Sequence, residues 1–291
     1  MTTTRLKVPK RPGWKPLWGP TWLVRLHASW SSDRYCRHPW VLPGAAIAVA
    51  LLLFGSALTP GSGPGQSDGV QSAEPTDAEG FLKRGNTYRL QGQDGLAIAD
   101  LTEALRRDPK LAPAYAYRAA ARANLSQLQK ALTDCDEALR LDQGQALAYA
   151  YRGPLHARKA EFDLALADCA QALRLAPKEA EAYNARGQVY ARQGQNDKAL
   201  ADWNEAVRLN PRLVDPYLNR GNSFAQKSEY EKAEADCAEA LRLAPRHAGG
   251  YALRAQIGIG KHAYDQAIAD CTEALRLRPK WARAYFLRAI A

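Results

Sequence analysis

The 291 residues carry 40 Lys and Arg against 30 Asp and Glu, a net charge of +10. Residues 1–40 hold eight of those basic residues and one acid, Asp33, so +7 of the charge belongs to a short tail and the other 251 residues are close to neutral. The high overall charge therefore gives no sign of a basic nucleic-acid-binding surface along the body of the chain, and RNA binding by it is disfavoured.

In chain order, the tail comes first. It holds five of the seven tryptophans, three of them in tandem tetrapeptides that begin at Pro12, Pro16 and Pro20. A proline every fourth residue forbids an α-helix and favours an extended segment. Trp beside Arg and Lys suits a membrane surface or a partner; a disordered tail, or a start codon placed too far upstream, accounts for the same residues. From Val41 to Leu58 the chain is uncharged and apolar, with Trp40 at its edge. As a helix these 18 residues would span about 27 Å, close to the hydrocarbon core of a bilayer. A single transmembrane signal-anchor over 41–58 is expected, with the N-terminus cytoplasmic and the rest extracytoplasmic, because basic residues precede it and none occurs in the linker after it. The competing reading is a cleaved signal peptide ending at Gly55-Ser56-Ala57, which would leave a secreted or periplasmic chain. Residues 59–77, rich in Pro, Gly and Ser, form a flexible linker. Thr76 followed by Glu79 predicts a capping box at the start of the first helix beyond it.

The remainder repeats every 34 residues, over 78–111, 112–145, 146–179, 180–213, 214–247 and 248–281, with an incomplete seventh unit over 282–291. Small residues recur at Gly85, Ala119, Gly153, Gly187, Gly221 and Ala255, and again at Ala97, Ala131, Ala165, Ala199, Ala233 and Ala267. Proline closes five units, at Pro109, Pro177, Pro211, Pro245 and Pro279, with Gln143 the exception. Apolar residues at three- and four-residue intervals, in two blocks broken by a polar turn, predict two amphipathic helices per unit. No such hairpin buries its stripe alone, so the units must stack.

The unit 183–211, with Tyr183, Gly187, Tyr190, Ala199, Trp203, Ala206 and Pro211, resembles the tetratricopeptide repeat (TPR) family, and the resemblance extends over 78–291. It implies an all-α fold: a right-handed α-solenoid of six helix hairpins plus the incomplete seventh, preceded by the predicted transmembrane helix. In such proteins the inner, concave surface is lined by first-helix positions 2, 5, 9, 12 and 13. Here the residues singled out for peptide binding on that face are Asn124, Arg158, Asn184, Gln188, Arg192, Leu218, Asn222, Gln226 and Gln256. They make a groove that is small-sided, amide-rich and only weakly charged. Asn219 and Asn222 fit single slots of the family's carboxylate clamp, but Gly249 and Leu253 stand where its basic residues belong, so that clamp is absent.

Two charged columns depart from the family pattern. Position 7 is Arg in every unit, from Arg84 to Arg288, and position 23 is Asp from Asp100 to Asp270. An invariant cation on each first helix and an invariant anion on each second helix predict a pair across the helix–helix contact. A second arginine column lies three residues after a Glu or Gln, for example Glu103 and Arg106, and predicts a solvated outer face. Cys135, Cys169, Cys237 and Cys271 share a position with Leu101 and Trp203. A slot that accepts all three is a packing slot, so neither disulfide nor metal is expected.

Two features weaken single helices. Pro154 falls inside the first helix of the third unit, and Gly249, Gly250, Gly258 and Gly260 dilute that of the sixth, which is expected to fray first. No phosphate loop, metal-spaced histidine or nucleophile motif is present, so no catalysis, cofactor or small-molecule substrate is expected. The function these observations support is a membrane-anchored scaffold for a protein or peptide partner. The alternatives are a soluble or secreted adaptor and the non-catalytic arm of a larger enzyme.

Overall fold

A computed structural model describes residues 75–291. The tail, the apolar stretch 41–58 with its expected transmembrane helix, and most of the linker lie outside the described residues. Within them there are thirteen helices and no strand. In chain order these are α1 (Ala78–Leu90), α2 (Asp94–Arg107), α3 (Ala112–Asn124), α4 (Leu128–Leu141), α5 (Ala146–Arg158) and α6 (Phe162–Leu175). Then come α7 (Ala180–Arg192), α8 (Asn196–Leu209), α9 (Val214–Gln226), α10 (Tyr230–Leu243), α11 (Ala248–Gly260), α12 (Tyr264–Leu277) and α13 (Ala282–Ile290). Each odd-numbered helix from α1 to α11 packs first against the even-numbered helix that follows it, each hairpin then stacks on the next, and α13 packs on α12 and α11.

The repeated chemistry explains the repeated geometry. The residue two past the end of each first helix has φ between 59° and 77° at Gly92, Ser126, Ala160, Gly194, Ser228 and His262. That left-handed conformation turns the chain back on itself; it is free for glycine and strained for the other four residues. Between hairpins, the carbonyls of Pro177, Pro211, Pro245 and Pro279 accept hydrogen bonds at 3.0–3.3 Å from the hydroxyls of Tyr183, Tyr217, Tyr251 and Tyr285. The closing proline therefore ends one unit and orients the first helix of the next. The first helix is capped one residue later than the sequence predicts: Asp77, not Thr76, accepts from the Gly80 amide at 2.9 Å. Asp77 sits three residues before that free amide, the reach an N-cap carboxylate requires.

Alanine fills the close contacts. Ala97, Ala131, Ala165, Ala199, Ala233 and Ala267 are fully buried, as are Cys135, Cys169 and Cys271, with Cys237 nearly so. The four cysteines are free thiols, and burial pushes Cys169 up to about 12 and Cys237 up to about 11, so thiolate character is suppressed. Leu101 and Trp203, in the same slot, rest against glycines: a Cβ on Gly85 would lie 2.8 Å from Leu101 Cγ, and one on Gly187 2.6 Å from Trp203 Nε1. Cys135 and Cys271 pack with Ala119 and Ala255, whereas Cys169 rests against a glycine, a Cβ on Gly153 lying 2.8 Å from its Sγ.

Helix α5 continues through Pro154 without interruption, and α5 and α7 make the most extensive contact of any two neighbouring first helices. Ala150, Ala157, Ala182, Ala185 and Val189 permit that approach. The glycines of α11 have packing partners: a Cβ on Gly250 would meet Leu241 at 2.5 Å and one on Gly260 would meet the Tyr230 hydroxyl at 2.5 Å. At α13 Tyr285, Phe286 and Ile290 are exposed.

Candidate peptide-binding face

The invariant arginines and aspartates meet inside each hairpin. Arg84–Asp100, Arg118–Asp134, Arg152–Asp168, Arg186–Asp202, Arg220–Asp236 and Arg254–Asp270 pair at 2.6–2.8 Å. Nε and Nη2 address the two carboxylate oxygens together, as at Arg186. The aspartates are buried, and each arginine also lies over the aromatic ring three residues before it, at 5.4–5.7 Å. A planar guanidinium held by both a carboxylate and a ring face has one geometry, so these pairs fix the register of the two helices and leave nothing for a ligand.

The inner face is a different matter, because it closes partly upon itself. Arg89, at the end of α1, reaches Glu181 at the start of α7, with Nη2 3.0 Å from Oε1. Its guanidinium lies over the rings of Tyr117 and Tyr151 at 5.2 and 5.5 Å, and the Tyr151 hydroxyl donates to the same Glu181 oxygen at 3.1 Å. Only 4% of the Arg89 side chain is exposed. Burial pushes the neighbouring Glu179 up to about 7, with further rise from Glu181 beside it. This latch joins the first repeat to the fourth.

A second inward contact forms a cleft of about 190 Å³. Its walls come from the first two repeats (Gly92, Asp94, Asn124) and from the last three (Asp215, Leu218, Asn222, His247, Arg278, Trp281, Arg283 and their neighbours). Asn124 Nδ2 donates to Asp94 Oδ1 at 3.0 Å, and the Asn124 carbonyl accepts from Arg278. Arg283 Nη2 donates to Asn222 Oδ1 at 2.7 Å and to Gln256 Oε1 at 2.6 Å. Burial raises the Asp94 carboxyl to about 6, while Asn124 and Arg278 pull it down. Among the described residues no group of three His, Cys, Asp or Glu could hold a metal ion.

Known families match along the array. The TPR repeat family matches residues 190–228, and further descriptions of the tetratricopeptide repeat match 78–111, 169–201 and 218–282. The chain belongs to the tetratricopeptide repeat family. Among solved structures, the APC/C hetero-tetramer Cut9–Hcn1 shares 21% identity at a TM-score of 0.54, over 75% of this chain and 43% of that one. A tetratricopeptide repeat protein from Parabacteroides merdae ATCC 43184 shares 22% identity at a TM-score of 0.53, over 75% of this chain and 85% of that one. At such identities the likeness is one of fold. This chain spans less than half of the first of these relatives. No curated protein matches the sequence.

The TPR array places the nine expected residues unequally. Asn124, Leu218 and Asn222 converge on the cleft, and Gln256 joins them through Arg283. Arg158, Gln188, Arg192 and Gln226 are half-buried or exposed on the ends and flanks of α5, α7 and α9. Asn184 is only 5% exposed and its Oδ1 accepts from Asn219 Nδ2 at 2.9 Å, so it joins two first helices and is not presented to a ligand. Leu218 is 7% exposed and packs in the core of the fifth repeat, offering the cleft only an edge. Nor is the groove weakly charged, as its columns suggest. Arg278 enters from the loop at the end of the sixth repeat, a position outside the inner columns, and Arg283 continues column 2 into the incomplete seventh unit. Extending that column past the last full repeat was the available signal for Arg283; Arg278 had none.

Proposed function

We propose that the TPR array is a protein-interaction scaffold, without catalysis, that holds an extended peptide against the inner face of its first helices. The observation that supports this best is the state of Gln188 and Gln226. Both stand on inner columns, and among the described residues neither side chain makes a hydrogen bond. An amide offers both a donor and acceptors, the complement of an extended peptide backbone. The test is a photoreactive amino acid installed at Gln226 in the full chain, with the outer-face position Arg242 as the control, exposed to a random-sequence peptide library. Labelling at Gln226 and none at Arg242 is expected. Equal labelling, or none at either, overturns the inner-face assignment.

In the same proposal residues 41–58 anchor the array in a membrane, with residues 1–40 in the cytoplasm and the array outside it. The basic residues ahead of the apolar stretch, against none in the linker behind it, support this orientation. Among the described residues no helix is long and apolar enough to cross a membrane, so the anchor rests on 41–58 alone. Protease added to intact cells should leave a small protected N-terminal fragment. A protected full-length chain, or a mature chain shortened past Ala57, removes the anchor.

A further inference from the structure

Four arginines carry charge onto the inner face, and none of them forms an ion pair among the described residues. Arg158 Nη1 donates to the Ala123 carbonyl at 2.9 Å, and Arg278 donates to the carbonyl of Asn124. The two cations therefore meet the last two carbonyls of α3, where a helix end supplies only about half a negative charge. Arg192 lies near enough to Arg158 to be affected by it: burial first, and then Arg158, lower its pKa. Arg283 shares the cleft with Arg278, and its partners are the neutral amide oxygens of Asn222 and Gln256. Burial lowers the pKa of the half-buried Arg158 and Arg278 guanidinium groups.

The contrast lies in the first helices of the six complete hairpins, where Arg84, Arg89, Arg118, Arg122, Arg152, Arg186, Arg220 and Arg254 each have a carboxylate within 3.0 Å; Arg288, in the incomplete seventh unit, lies over the Tyr285 ring instead. The arc Arg192, Arg158, Arg278 and Arg283 is bordered by two carboxylates, Asp94 and Asp215, of which Asp94 is committed to Asn124. Arg158 is a half-buried cation with no carboxylate beside it, and half-buried Arg278 has only Asp94 near it, so an arriving anion lowers the cost of burying both.

We infer that this arc is the docking site for an acidic segment of a partner protein. Arg192 and Arg283, whose residues remain open to solvent, grip its Asp or Glu side chains, while Gln188 and Gln226 bind its backbone. The inference rests on the peptide-scaffold function proposed above and supplies its ligand chemistry. Two aspartates within the arc and a nearly neutral array disfavour a polyphosphate backbone, whereas a planar guanidinium matches a carboxylate with two parallel hydrogen bonds.

The test uses the full chain with a fluorescein-labelled peptide alternating glutamate and serine, its glutamine–serine twin and the random-sequence library, read by fluorescence anisotropy. The Glu peptide is expected to bind about tenfold tighter than the Gln peptide, with the difference shrinking as salt rises. Arg192→Gln and Arg283→Gln should each reduce that preference severalfold with helical content unchanged, while Arg242→Gln on the outer face leaves it intact. If library peptides bind but Glu and Gln peptides bind equally, the acidic assignment falls and the scaffold stands. If no peptide binds, both fall. If the Glu peptide binds only after Asp68→Asn and Glu74→Gln, the occupant is the chain's own linker, and the partner assignment falls.

Discussion

At Asp94 the fold buries a carboxylate to 4% exposure and gives it a single side-chain donor, Asn124, at 3.0 Å. Burial outweighs that hydrogen bond and the nearby arginines, so the group titrates at about 6 instead of 3.8. Between those values the folded chain holds a proton that the unfolded chain has released. Stability therefore falls as pH rises through that window and returns on acidification. Asp94→Asn keeps the shape, accepts the same donor and removes the charge. It should flatten the wild-type slope between about pH 4 and pH 6 and raise the urea midpoint at neutral pH; an unchanged slope would acquit Asp94. Nothing in the 34-residue period announces this residue. Asn124 comes from the next repeat, but Arg278 arrives from the sixth, and a period describes neighbours one unit away, not five.

Within single hairpins the sequence is far more legible. The Arg and Asp columns recur in every full unit, and a cation and an anion that never vary at two packed helices must meet. The small-residue columns are legible for the same reason, and the bulkiest occupant of the facing slot, Trp203, meets a glycine, Gly187; the smaller cysteines meet either residue, Cys135 packing with Ala119 and Cys169 with Gly153. Hence Gly187→Ala should cost about 1–3 kcal/mol, the usual range for overpacking a filled core. Trp203→Cys alone should cost about 3–5 kcal/mol through the cavity it leaves, and the two losses should not add, because the methyl added at position 187 no longer meets the indole. Thermal denaturation of both single variants and the double variant decides it: fully additive losses would refute the Gly187–Trp203 contact as the cause. Capping is less legible, because Thr76 and Asp77 are both good N-cap residues and only the backbone path selects between them.

For the array as a whole, the contacts that matter are the ones that do not repeat. Arg89 is the single member of its column with a charge; Ala123, Ala157, Ala191 and Ala225 hold the equivalent places in the next four repeats. Arg89→Ala would strand Glu181 and Glu179 side by side, at a cost of about 3 kcal/mol or more for a broken buried pair. Lower thermal stability and a larger radius of gyration in solution scattering are expected; an unchanged radius would show that the latch does not set the curvature. The charge pairs inside the hairpins have another consequence. Each closes within its own 34 residues, so a unit can be duplicated or lost by recombination as an electrically complete cassette, stranding no buried ion. The Arg89–Glu181 contact has no such freedom: it spans 92 residues and is met only when two whole cassettes lie between its ends. It works as a ruler, tolerating exchange of the cassettes it encloses but not a change in their number.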